Sequence, residues 1–316
     1  MFSMIRTTAK LCTVFAAVAA LQPTTLSYAA DSVAYASSTG SGSSCTTTQP
    51  CTIVQAVATA LSAAGTNIAR VICLSPPAAT PENTGNVFSL APNQTIEIDC
   101  PQGYMTTLQF LNSNVTGVIR GVTFTNSIIA PNPILFWGSG TLILEDCVFT
   151  DTTGMALDIE PNGPLNLVFR NSRISKGATV AIVLKPAAGG SINATFDHVT
   201  VTNNAGGGIR LDTTNGPVTA DVTDSVITNN TGNGLSAQGG VGSVAMLSIH
   251  DSVIAKNGAA GINATGTNGA VLVDTTLLDT NGTATSIASG GRIVSYGNNR
   301  VVGPAGTGFT GTTSLQ

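Results

Sequence analysis

Residues 201–212 read VTNNAGGGIRLD, and the phrase returns at 227–238 as ITNNTGNGLSAQ and at 254–265 as IAKNGAAGINAT. A phrase recurring every 26 or 27 residues is the mark of a repeat architecture. Working outward from it, units begin near Asn114, Thr141, Leu165, Ser191, Val218, Val244 and Ala270, each 22 to 27 residues long. In most, an alternating run ends in Asp or Asn, often followed by Ser: Asp146-Cys147, Asn171-Ser172, Asp224-Ser225, Asp251-Ser252, Asp274-Thr275. An apolar pair, an Asn or Gly turn and a second alternating run follow. The unit around Asp197-His198 carries one extra residue. These runs are too short for helices and alternate with period two, which reads as strand. The Leu and Asn framework of leucine-rich repeats is absent. One unit cannot bury its apolar face, whereas stacked units bury a continuous core. Each strand then pairs in parallel with its equivalent one coil on, about 4.8 Å away. The fold class is all-β: a single-stranded parallel β-helix, or solenoid.

Stacking gives the phrase its first meaning. Asn204, Asn230 and Asn257 each lie five residues before an apolar anchor, Ile209, Leu235 and Ile262. Equivalent amides come directly over one another, and each can donate to one neighbour and accept from the other, forming an asparagine ladder. Glycines at 206–208, 232, 234 and 261 are expected to supply unusual backbone conformations at this corner.

The chain has 316 residues, and its first 29 differ from the rest. Arg6 and Lys10 precede an apolar run from Leu11 to Leu21, and Ser27-Tyr28-Ala29 offers small residues three apart. This is a secretory signal peptide, residues 1–29, which predicts a secreted protein, periplasmic or extracellular after cleavage. No later stretch is apolar enough for a membrane span. Only 9% of residues are charged, while 42% are hydrophobic, which is not the composition of a disordered chain. A net charge of −4 gives no electrostatic case for nucleic acid. Cys45 and Cys51 flank a short loop, and Cys73 and Cys100 on two early apolar runs could form a second disulfide. Cys147 is left as a small apolar group, and the lack of a CxxC pair or Cys/His cluster argues against zinc.

PCTIVQAVATALSAAG, with helical apolar spacing and Gly65 at its end, predicts an amphipathic helix covering the open end of the first coil. At the far end, GGRIVSYGNNRVVG breaks the period and is expected to close the last coil. The chain thus divides into the leader, an N-terminal cap over 30–113 (helix, first coils and disulfides), repeat coils over 114–291, and a C-terminal cap or tail over 292–316.

The order of SGSSCTTTQPCTIVQAV, CLSP and TIEIDC, then coils bearing DSVI, TNN and GI, then SYGNNRVVG, resembles bacterial right-handed β-helix repeat proteins of the pectin-lyase-like fold. The resemblance covers essentially the whole mature chain and implies a right-handed coil. It implies no particular activity, since relatives of that fold cleave or bind acidic polysaccharides, or act as adhesins. The NTD, DD and GHG motifs of polygalacturonases are missing, and Arg173-Ile174-Ser175 is the nearest approach to their RIK. The WxDH and RxPxxR segments of pectate lyases and the DPHE of mannuronan epimerases are missing too. No catalytic residue carries over.

In so charge-poor a chain, the place where charge gathers is informative. Aligning the strand after the Asn corner on Leu157, Ile182, Ile209, Leu235 and Ile262 turns the first and third following residues outward. The first row is Asp158, Val183, Arg210, Ser236, Asn263, and the second is Glu160, Lys185, Asp212, Gln238, Thr265. Asp158, Glu160, Lys185, Arg210, Asp212 and Gln238 are therefore the candidate ligand-binding set, for a polysaccharide or cell-surface carbohydrate. Arg210 or Lys185 can pair with a uronate carboxylate, or serve as a base where its pKa is depressed, and with Asp212 they are the catalytic candidates. Asp158, Glu160 and Asp212 are weak candidates for a Ca²⁺ site, the one cofactor the sequence suggests. The alternating signs of Glu160, Lys185 and Asp212 also read as an exposed ion-pair ladder with no ligand at all. Beside the patch, Arg170, Arg173 and Lys176 read as a basic edge. His198 and His250 lie in different coils with no evident carboxylate partner, and Trp137, Phe136 and Tyr104 are the aromatic side chains that could serve as sugar platforms. The expected role is a non-catalytic extracellular scaffold or carbohydrate-binding surface, with a polysaccharide lyase or glycoside hydrolase as the alternative.

Overall fold

The computed structural model describes residues 31–65, 67–74, 89–125 and 131–313. The expected leader over 1–29 lies outside them. Short strands wind into coils with three faces, and successive coils pair in parallel. The first face carries the longer strands, among them Gly140–Glu145, Pro164–Arg170, Ser191–Asp197, Val218–Thr223 and Ala245–His250. The second is built of three-residue strands such as Arg173–Ser175, Thr200–Thr202 and Val226–Thr228. The third is an eight-stranded sheet: Leu108–Phe110, Ile134–Phe136, Leu157–Ile159, Ile182–Leu184, Ile209–Asp212, Leu235–Gln238, Ala260–Thr265 and Thr283–Ala288.

Alternation fills the interior. Inward residues stack on their equivalents, as in Leu167, Ala194, Ala220 and Leu247 on the first face, all fully buried. Aromatic rings stack in the same way. Phe124 and Phe149 lie 4.7 Å apart, and Phe169 meets Phe149 and Phe196 edge-on at 5.9 and 6.3 Å. Each such ring withdraws enough apolar surface to favour the coil by roughly 1.5–3 kcal/mol.

Both buried corners solve the same problem, a sharp bend whose backbone polar groups must still be satisfied. At the first corner the bend is made by a left-handed residue: Asp146, Asn171, His198, Asp224, Asp251 or Thr275. The next residue points inward. The hydroxyls of Ser172, Ser225, Ser252 and Thr276 each donate to the carbonyl two residues back, at 2.6 to 2.7 Å. The serine oxygens also accept backbone N–H groups from the preceding coil. This corrects one register expected from sequence and fixes another that the sequence left open. In the last unit the corner pair is Thr275-Thr276 rather than Asp274-Thr275, and the extra residue near Asp197 leaves His198, not Asp197, in the left-handed position.

The second corner holds the ladder. Asn204 Nδ2 donates to Asn230 Oδ1 at 2.8 Å, Asn230 Nδ2 to Asn257 Oδ1 at 3.0 Å, and Asn257 Nδ2 to Asn281 Oδ1 at 2.9 Å. The same oxygens accept the backbone N–H of the preceding amide. Asn281 extends the ladder one coil beyond the three expected members. The glycines expected to supply the unusual conformations of this corner are not its left-handed residues; that backbone belongs to Asn203, Asn229, Lys256 and Thr280. Gly234 and Gly261 are needed for clearance instead, since a Cβ on either would sit 2.7 Å from a ladder amide nitrogen, of Asn257 and Asn281 respectively.

The N-terminal helix runs Ile53–Ala64, capped by the Thr52 hydroxyl accepting from Gln55 N–H, with Gly65 left-handed at its end. It buries Ile53, Ala56, Val57, Ala60 and Ala64 against the first strands of the first face, Ser32–Ala36, Ile68–Cys73 and Thr95–Met105. Both expected disulfides are formed, Cys45–Cys51 and Cys73–Cys100. Cys147 is free and buried in the corner position that serine fills elsewhere, and burial pushes its thiol up to about 12. The segment 292–303 adds a further, shortened coil. Arg292–Ser295 pairs with Gly269–Val273, and Arg300–Val302 with Leu277–Asp279, so both stacks continue. No helix among the described residues is long and apolar enough to cross a membrane.

Candidate functional site

The third face aligns as expected: Leu157, Ile182, Ile209, Leu235 and Ile262 stand in one inward row. Asp158, Val183, Arg210, Ser236 and Asn263 form the next row, and Asp212, Gln238 and Thr265 are in register beyond it. Glu160 and Lys185 extend that outer row, since each donates its N–H, at 2.8 Å, to the last residue of the third-face strand one coil back, Phe136 and Ile159.

The same hydrogen bond places a residue the repeat phrase did not reach. Trp137 N–H donates to Phe110 O at 2.8 Å, so Trp137 holds the outer-row position one coil before Glu160. Trp137 is 47% exposed, whereas Phe136 is core and Tyr104 lies in the Thr95–Met105 strand on another face. The outer row therefore reads Trp137, Glu160, Lys185, Asp212, Gln238, Thr265 along the axis.

The first row departs from expectation. It faces away from the core, yet Asp158, Val183, Ser236 and Asn263 are buried. Most of these side chains are short, and the second corner rises beside them: a hollow of about 300 Å³ is walled by Ala205, Gly206, Gly207, Thr231, Gly232 and Asn233 and floored by Arg210, Ser236 and Gln238. At the other end Asn132 covers Asp158, donating from Nδ2 to Oδ2 at 2.7 Å while its own Oδ1 is fixed by Met155 N–H at 2.9 Å. Asp158 Oδ1 and Arg210 Nε are buried without a hydrogen-bond partner, although groups so placed are normally satisfied. Burial, and then repulsion from Glu160, raise the Asp158 carboxyl to about 6 against the lowering influence of Asn132 and Lys185. Asp158 can thus gain or lose a proton near neutrality.

The ion-pair ladder is only half formed. Lys185 Nζ lies 3.9 Å from Glu160 Oε1, with both side chains more than a third exposed, so the pair is weak. Among the described residues no carboxylate comes within ion-pair distance of Arg210, and Asp212 accepts instead from the N–H and hydroxyl of Thr214. The suggested Ca²⁺ set does not converge: Asp158 and Asp212 are two coils apart, about 10 Å, with the Lys185 coil between them. The basic edge also disperses. Arg170 pairs with Glu145 on the first face at 3.0 Å, Arg173 stands on the second face, and Lys176 makes the second corner. Both histidines prove to have carboxylate partners: His198 Nδ1 meets Asp197 at 2.5 Å, and His250 Nδ1 meets Asp274 at 3.6 Å.

Residues 104–220 match the family model described as right handed beta helix region. Coils before and after that stretch continue the same stacks, and the chain is a right-handed parallel β-helix. No curated protein and no solved structure matches it.

Proposed function

We propose that this protein is an exported, non-catalytic scaffold whose third face binds a carbohydrate chain lying along the coil axis. The observation that carries the reading is the outer row itself. An exposed Trp137 stands in register with Glu160, Lys185, Asp212 and Gln238, joining a flat apolar platform to polar groups repeated about every 4.8 Å. Arg210, with no carboxylate of its own, favours a chain carrying uronate groups. The resemblance to exported β-helix repeat proteins agrees with an extracytoplasmic setting.

The test is retention of the purified protein on pectin, alginate and neutral glucans, with reducing ends and ultraviolet absorbance of unsaturated products followed in the same samples. Retention on acidic polymers without product, lost in Trp137→Ala and weakened in Arg210→Ala, is the expected outcome. Retention on none of the polymers would sink the reading. A second reading, a lyase or hydrolase on acidic polysaccharide, is favoured by one observation, the Asp158 carboxyl poised to titrate at about 6 beside Lys185 and Glu160. Product formation abolished by Asp158→Asn would replace the first reading with the second.

A further inference from the structure

Away from the groove, the first corner gathers the other titratable cluster. We propose that Asp197, His198 and Asp224 form a binding site for one divalent transition cation of the Zn²⁺, Co²⁺ or Ni²⁺ class.

The sequence holds no zinc motif, because the fold draws these ligands from two coils. Asp197 pairs in register with Thr223, so the left-handed His198 and the left-handed Asp224 occupy the same corner position one coil apart. One ligand atom from each of the three lies within 4.8 Å of the others, the only such group of three among the described residues. Asp197 and His198 are well exposed, so an ion can reach them from solvent.

The neighbouring coils supply an internal comparison. His250 also faces a carboxylate, Asp274, but that carboxylate is already occupied: it accepts from Asn298 Nδ2 and from the Thr275 hydroxyl. Asp224 accepts no hydrogen bond and joins no ion pair among the described residues, yet it and Asp197 both act on the single imidazole of His198. Arg170 stands in register with Asp197 but pairs with Glu145 at 3.0 Å, so two carboxylates face one imidazole, an excess of negative charge that a dication would neutralise. One imidazole nitrogen with two carboxylate oxygens suits a borderline ion, whereas Ca²⁺ takes six to eight oxygens and Mg²⁺ keeps mostly water. Three protein ligands leave positions open for water, as exposed zinc sites do. Because the imidazole must be neutral to ligate, affinity should fall on acidification.

The experiment is calorimetric titration of the untagged protein with ZnCl₂ at pH 7.5, with Co²⁺ absorbance as a second readout. The expected result is one ion per chain and a visible Co²⁺ ligand-field band. Affinity should fall about 10-fold or more in His198→Ala and in Asp224→Asn, and stay unchanged in His250→Ala. All three residues are on the surface, and circular dichroism of the variants confirms that the coils remain. Absence of binding by the wild type, or binding that survives His198→Ala or Asp224→Asn, would overturn the proposal. So would equal loss in His250→Ala, which would put the ion elsewhere on the ridge.

Discussion

The second corner and the third face run side by side through the same coils and treat buried polar groups in opposite ways. At the corner every ladder amide from Asn204 to Asn257 both donates and accepts, and Asn281 closes the series on Ile254 O at 2.8 Å. On the face, Asp158 and Arg210 each bury an atom with no partner. A satisfied network holds a unique register, while an unsatisfied one costs stability and leaves valences that a ligand can take up. The corner is architecture, and the face is where the chain departs from what stability alone would choose.

The largest effect should come from breaking the corner. Asn230→Ala strands the Asn204 amide and backbone N–H, and it should destabilise the coil by about 2–4 kcal/mol in denaturant unfolding. Gly234→Ala forces a methyl against the Asn257 amide nitrogen and should cost about 1–3 kcal/mol in the same assay.

On the face the sign reverses. The Asp158 pKa is raised in the folded state, from 3.8 to about 6, so the fold holds this proton more tightly than the unfolded chain does. Its contribution to stability therefore falls as pH rises from about 4 to about 6, and stays low above that. Asp158→Asn should raise the free energy of unfolding at pH 8 by on the order of 1–2 kcal/mol, and lose that advantage at pH 4. If the gain were the same at both pH values, the carboxyl would not be titrating as described. Smallest of all, Lys185→Ala should change stability by less than about 0.5 kcal/mol, because its pair with Glu160 is exposed and long.

The contrast also separates what the sequence revealed from what it hid. The ladder from Asn204 to Asn257 and the rows of the third face were legible because an Asn five residues before an apolar anchor fixes both periods at once. Asn281 was missed because it follows Asn257 by 24 residues rather than 26 or 27, in a coil whose phrase is shortened to DTNG. Trp137 stands outside the rows the phrase defines because its coil lacks the asparagine phrase; the pairing of Ile134–Phe136 with Leu157–Ile159, together with the backbone bond to Phe110, sets its register. The burial of Asp158 could not be read from alternation, which tells outward from inward but not whether Asn132 stands over an outward residue. The metal-ligand cluster was hidden for a similar reason, since the extra residue near Asp197 obscured that His198 takes the corner beneath Asp224.

The chain has a single tryptophan, and it lies in the proposed binding row, so the site reports on itself. The most direct measurement is Trp137 fluorescence during titration with uronate oligosaccharides at pH 7, with neutral oligosaccharides as the comparison. Binding along the third face predicts a saturable change in intensity or emission maximum with the uronate series, abolished or strongly weakened by Arg210→Ala. Unchanged emission across both series, to millimolar ligand, would contradict the proposed groove.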